Sequence, residues 1–186
     1  MILVSNSPRR QEILKNAGFD FKVVSSNVKE EYPQNLAIEK IPEYLAEQKA
    51  FSVVKDYKDE ILIAADTIVV VKNTILGKPK NDIEAIEMLR KLSGRKHRVI
   101  SGACVVKGDD IIKFSDETTV YFKDLSDDEI MYYVENFKPF DKAGAYGIQE
   151  WIGMIGIEKI QGSYYNVVGL PIQKLYKILM NIRRVK

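Results

Sequence analysis

Apolar residues fall along the chain in short blocks divided by polar and glycine-rich stops. The first block, in "MILVS", is unbroken and too short for a helix, which predicts a buried strand. It stops at Asn6 and Pro8; Pro8 suits the first turn of a helix with Ser7 as its cap, and "RRQEILKNAG" carries that helix to Gly18. "FDFKVVSS" alternates as a strand does, and the polar "NVKEEYPQN" reads as a loop. Between about Ile38 and Tyr57, residues Ile41, Tyr44, Leu45, Gln48 and Phe51 share one helical face.

"EILIAADTIVVV" follows as the most apolar strand candidate in the chain. "KNTILGKPKN" reads as a turn-rich connection, and "DIEAIEMLRKLSG" as a helix from Asp82 to near Gly94. "HRVISGACVVKGDDIIKFSDETTVYF" predicts two strands joined at Gly108-Asp109. "SDDEIMYYVEN" has a serine cap with Asp127, Asp128 and Glu129 in the first turn, so it predicts a helix. Residues 138 to 171 are rich in glycine and tyrosine without a clear period, a long irregular region of the kind that carries function. "PIQKLYKILMNIRR" closes the chain as a helix starting at Pro171. No repeat or linker breaks the pattern, so one domain spanning 1–186 is expected. The alternation of strands and helices with a mid-chain hairpin predicts α/β architecture on a mixed sheet flanked by helices.

Composition narrows the chemistry. Charged residues make up 29% of the chain, but their signs nearly cancel to +2, which gives little support to a nucleic-acid partner. No apolar stretch approaches the roughly 18 residues of a membrane span, and the N-terminus lacks signal-peptide character, so a cytoplasmic protein without a membrane partner is expected. One cysteine, Cys104 in "GACVV", is expected to be a buried inert thiol. With one Cys and one His, no Cys/His zinc site can assemble within the chain, and Gly77-Lys78 is followed by proline rather than a Walker-type continuation. For a hydrolase, carboxylates with a hard metal remain.

Several residues stand out against this background. Asp66 lies inside the apolar strand, where a carboxylate loses its hydration unless paired or metal-bound; a bend capped by Asp66 is the plain reading, a metal ligand or general base the functional one. Lys49 shares a helix face with Leu45, so it points inward, or else its stem covers apolar surface while its head reaches water. Lys78 sits in a turn, where a surface lysine is ordinary. Glu30 and Glu31 are loop acids whose interest is that Mg²⁺ takes one or two carboxylates from separate segments plus substrate phosphates. In "FDKAGAYGIQ", glycines flank Tyr146, and Gln149 offers a donor and an acceptor to a base edge; an ordinary packed turn is the alternative. Ser7, Arg9 and Arg10 stand where a helix start can cradle an anion. Together these supply the inventory of a nucleoside-triphosphate site.

Seven segments in order, "SNSPRRQEIL", "LAEQKA", "AADTIV", "GKP", "LSGRKHRVISG", "DKAGAYGIQ" and "GSYYNVVGLP", resemble the Maf family of nucleoside triphosphate pyrophosphatases, also called septum-formation inhibitor proteins. The resemblance runs from residue 5 to residue 171. It implies a mixed-sheet α/β fold related to the inosine-triphosphatase group, a site in a cleft, Mg²⁺ (or Mn²⁺), and cleavage of a triphosphate to monophosphate and pyrophosphate, usually by a homodimer. By motif, Ser7, Arg9 and Arg10 fall on the phosphate-binding turn, and Glu30, Lys49, Asp66 and Lys78 on the catalytic positions, with Glu30 and Asp66 as metal ligands. Arg9, Thr67 and Gln149 match the branch acting on dTTP and UTP, where the 7-methyl-GTP branch carries tryptophan, glutamine and glutamate. Thr67 and Gln149 are then the base readers.

The chain departs from the family pattern in three places. Asn27 and Lys29 replace acids, leaving Glu30 or Glu31 as the ligand, with spacing favouring Glu30. Glu150 stands where glycine is usual after Gln149, and Ser101 where threonine is commoner. His97, at a strand start, reads as structural. Another base preference is one rival to the dTTP/UTP reading; a non-catalytic nucleotide sensor in division control is another.

Overall fold

A computed structural model describes residues 1–184. Its strands are β1 (Ile2–Val4), β2 (Lys22–Val24), β3 (Leu62–Val71), β4 (Thr74–Leu76), β5 (Lys96–Lys107), β6 (Asp110–Phe122) and β7 (Ile157–Gln161). The helices are α1 (Pro8–Asn16), α2 (Ile41–Phe51), α3 (Asp82–Leu92), α4 (Asp127–Phe137), α5 (Trp151–Gly156), α6 (Tyr164–Val168) and α7 (Ile172–Arg184). The strands pair in the order β2-β1-β3-β5-β6-β7, with β4 on β3. β1 runs parallel to β2 and β3, whereas β4 and β7 pair antiparallel with β3 and β6. The expected mixed-sheet α/β fold is therefore the one observed.

Two expectations are corrected. The connection "KNTILGKPKN" contains β4, folded back on β3 by the left-handed residues Lys72 and Asn73. The stretch from 138 to 171 is partly regular, holding α5, β7 and α6. These elements have five or six residues each, too few to show a period.

The chain forms two compact units. The first comprises Met1–Thr67, Ser101–Asp116 and the chain from Gly169 onward; the second comprises Ile68–Ile100 and Glu117–Val168. In the first, Ile2, Val4, Leu62, Ala64, Cys104 and Val106 pack against Ala46 and Ala50 of α2. Small side chains let helix and sheet approach closely. Gly102 shows how closely: a methyl there would run into the backbone of Pro42 and Glu43 at the start of α2. Burial pushes the Cys104 thiol up to about 12, so it stays protonated and inert, as expected.

In the second unit, α3 and α4 cover a core built around Val69, Leu89, Phe122, Tyr133 and Ile152. α4 carries a full capping box, in which Ser126 accepts from the Glu129 amide and Glu129 accepts from that of Ser126. His97, 2% exposed, meets the Tyr146 hydroxyl through Nε2 at 2.7 Å and lies edge-on to Phe122. Its Nδ1 has no hydrogen-bond partner. Loss of hydration drives its pKa from 6.5 down to about 3, the structural role expected of this residue.

Two predictions follow from this packing. Gly102→Ala should lower stability by about 2 kcal/mol in urea unfolding, because backbone rather than a movable side chain opposes the added methyl. His97 takes a proton near pH 6.5 when unfolded but only near pH 3 when folded. Its contribution to stability is thus full above pH 6.5 and drains away as the pH falls toward 3. Urea midpoints between pH 7.5 and 4 should fall less steeply in His97→Gln, by up to about 1.4 kcal/mol per pH unit.

Candidate active site

The site begins where β1 ends. Ser5 to Ser7 lead from the strand into α1, and Pro8 occupies the first helical turn with its fixed φ and missing N–H. Ser7 holds the N-cap position as expected, but its side chain makes no capping bond; its amide donates to Ser5 Oγ at 3.2 Å. The first turn of α1 is thus not capped by the Ser7 side chain, and a helix start is a place that favours anions.

Arg10 is held on three sides by neutral oxygens. Its Nε donates to the Gly169 carbonyl at 2.8 Å, one Nη to Thr67 Oγ1 at 3.1 Å and the other to Ser5 Oγ at 3.4 Å. None of these acceptors cancels its charge. Burial lowers its pKa and Asp66 opposes that shift, with Arg9 and Glu30 acting more weakly; a guanidinium stays charged regardless. The result is an oriented, fully positive fork. Thr67 also meets Ser101 Oγ at 2.8 Å, so its hydroxyl serves the Arg10 mount.

On β3, successive side chains alternate between sheet faces. Leu62 and Ala64 face α2, and Asp66 continues that register, while Thr67 takes the opposite side with Arg10. Lys49 reaches Asp66 from α2: its Nζ lies 2.5 Å from Asp66 Oδ1 and 2.7 Å from Glu30 Oε1. The side chains of Lys49 and Asp66 are 10% and 9% exposed, that of Glu30 48%. Of the two loop acids left open by the sequence, Glu30 is the one that joins the cluster. One ammonium thus draws together two carboxylates, whose oxygens are hard donors. Among the described residues, no three His, Cys, Asp or Glu side chains gather to hold an ion alone. A divalent cation at Glu30 and Asp66 fits as Mg²⁺ fits elsewhere, with a carboxylate pair completed by water and substrate phosphates.

The first unit thus brings together Ser7, Arg10, Glu30, Lys49, Asp66 and Thr67, with half-buried Arg9 next to Arg10 on α1. Lys78 and Gln149 belong to the second unit, both exposed: Lys78 follows β4, and Gln149 precedes α5. Sequence reasoning missed Gly169 as a mount for Arg10. A backbone carbonyl far along the chain leaves no side-chain signal, and only the segment "GSYYNVVGLP" hinted at it.

An anion-binding helix start beside a carboxylate–lysine–carboxylate cluster, on a mixed α/β sheet, defines a class of protein built to handle phosphorylated substrates. The model of the Maf-like protein family matches residues 1–182, and the chain belongs to that family. It is 53% identical over 175 residues to the dTTP/UTP pyrophosphatase of Cytophaga hutchinsonii, covering 94% of this chain and 80% of that relative. It is 49% identical to the dTTP/UTP pyrophosphatase of Parabacteroides distasonis, covering 96% and 94%. Among solved structures, that of the Staphylococcus aureus Ham1 protein shares the fold, with a TM-score of 0.57, 20% identity and 97% of each chain covered.

Removing Lys49 leaves a carboxylate stranded in the strand. Lys49→Met should cost about 3 kcal/mol in urea unfolding, and adding Asp66→Asn should restore at least half of that. Equal stability of the single and double variants would show that Asp66 does not depend on Lys49.

Proposed function

We propose that the chain hydrolyses dTTP and UTP to the nucleoside monophosphate and pyrophosphate. The observation that carries the mechanism is the Glu30–Lys49–Asp66 cluster on the unit that also mounts Arg10. The substrate class rests on family membership and on the full-length similarity to dTTP/UTP pyrophosphatases.

Glu30 and Asp66 are the residues to hold Mg²⁺ (or Mn²⁺), which when bound supplies charge neutralisation and polarisation at the α-phosphoryl group. Asp66 orients the attacking water and accepts its proton as the new P–O bond forms. The bond from the α-phosphorus to the bridging oxygen breaks, and pyrophosphate carries the electron pair away. Arg10, with Arg9, faces the negative charge that gathers on that leaving group, and Ser7 with the amides of α1 holds phosphate oxygens. Lys49 keeps the two carboxylates together against their mutual repulsion. Lys78 adds charge for the pyrophosphate and Gln149 reads the base; for these two the reading rests on their motifs. Thr67 reads the base with Gln149, a role that likewise rests on its motif, while its hydroxyl helps to hold Arg10. Family resemblance makes a homodimer the working assembly.

Pure protein with Mg²⁺ should convert dTTP and UTP faster than other nucleotides, releasing one pyrophosphate per monophosphate. EDTA should stop turnover, and Asp66→Asn should lower kcat at least about 100-fold. Orthophosphate as first product would move the chemistry to the γ-phosphorus, and full activity in Asp66→Asn would remove the proton acceptor from the scheme.

A further inference from the structure

Gln149 sits at the tip of a four-residue turn, Gly147 to Glu150, closed by the Glu150 amide donating to the Gly147 carbonyl at 3.0 Å. Ile148 points into the core and Gln149 outward. The exposed side lines a groove of about 420 Å³ with Met154, Lys159 and Tyr164.

Both ends of this turn are tied to one atom. The Tyr133 hydroxyl, on α4, accepts from the Gly147 amide at 3.0 Å and donates to Glu150 Oε2. Tyr133 is fully buried, and burial together with Glu150 pushes its phenol far above the ordinary value, so it remains a proton donor. The other Glu150 oxygen lies 2.9 Å from Lys142 Nζ, which also meets Asp141 at 2.7 Å. Lys142 is itself buried. Space around the turn is filled: a methyl on Gly147 would lie 2.9 Å from Glu150 Cδ and 3.1 Å from Lys142 Cε. One turn further back, the Gly144 amide donates to the Gly77 carbonyl at 3.0 Å, joining the same segment to the residue before Lys78.

We infer that Tyr133, Lys142 and Glu150 form a clamp that fixes the tip of the 147–150 turn, making Glu150 a positioning residue that sets base discrimination through Gln149. A solvated surface turn needs no buried lysine, and a merely structural ion pair needs no hydroxyl bonded to both ends of the turn. Discrimination by hydrogen bonding requires such fixity, because a reader free to shift adapts its donor and acceptor to the wrong base. Glu150 closes the clamp from the position where the family resemblance places glycine, so this chain holds its turn by charge. The inference rests on the proposed reading of Gln149.

The experiment has two arms. Without nucleotide, hydrogen exchange of the Gly147 amide should show protection in the wild type, lost at least tenfold in Tyr133→Phe and in Glu150→Ala, while amides of β3 keep theirs. With nucleotide, the ratio of kcat/KM for dTTP over dCTP should fall at least tenfold in both variants. The loss should lie mainly in a raised KM for dTTP, with kcat within about threefold of wild type. Glu150→Gln, which keeps the acceptor for Tyr133 and loses only charge, should retain part of the discrimination. An unprotected Gly147 in the wild type, or an unchanged ratio in folded Tyr133→Phe, overturns the clamp. A wild type that turns over dCTP as well as dTTP overturns the dTTP/UTP reading instead, and the exchange arm still decides whether the turn is clamped.

Discussion

A carboxylate in the most apolar strand of the chain is tolerable only because one lysine reaches it. Lys49 must extend from α2 to Asp66, and the packing of the first unit follows from that demand. α2 has to lie close to the sheet, so its inward positions include Ala46 and Ala50 and the strand beneath offers Ala64. Gly102 removes the last obstacle, bringing β5 against the backbone at the start of the helix. Larger side chains at these places would lift the helix, and the Lys49–Asp66 separation of 2.5 Å would open. An unpaired charge at that depth would then oppose folding.

The two principal cations of this unit are set up in opposite ways. Lys49 is matched by two carboxylates and so has little charge left for a ligand. Among the described residues, Arg10 donates to a carbonyl and two hydroxyls, which orient the guanidinium without cancelling it. An anion approaching the start of α1 therefore meets a guanidinium oriented by neutral oxygens, with Asp66 acting on it through space. The carboxylate pair offers hard oxygens of the kind a divalent cation takes. A substrate that combines a polyphosphate with a bound metal presents both partners at once, and dividing the charges this way discriminates against ligands that bring only one.

How far this was legible in the sequence depended on whether a feature had a period or a chemical oddity. β3 was plain because ten residues of it are apolar except at Asp66 and Thr67, and that same exception marked Asp66 for attention. α4 announced itself through its serine cap and acidic first turn. β4, α5, β7 and α6 were missed, since elements of three to six residues are too short to carry a usable pattern. The helical spacing of Lys49 from Leu45 left open whether its head turns inward or reaches water, and motif spacing favoured Glu30 over Glu31; the ion pairs of Lys49 answer both questions. Thr67 was marked as a base reader from its motif; its hydroxyl also meets Arg10, a partner that the motif does not disclose.

Lys49 and Lys142 are the buried lysines among the described residues, and each stands between two carboxylates of unequal exposure. Buried ion pairs of this kind add little net stability, because the attraction is spent against lost hydration. What they do supply is geometry: a displaced partner leaves a bare charge, so alternative arrangements are penalised more heavily than the native one is rewarded. In the first unit that constraint fixes Asp66, whose orientation the proposed chemistry needs. In the second it fixes Glu150, which terminates the turn carrying Gln149. Apolar replacement of both partners of a pair at matching volume would preserve each fold, but would remove the carboxylate whose position is being held. The recurrence of one device at two places where position matters, and stability does not require it, is the physical reason to read both as functional.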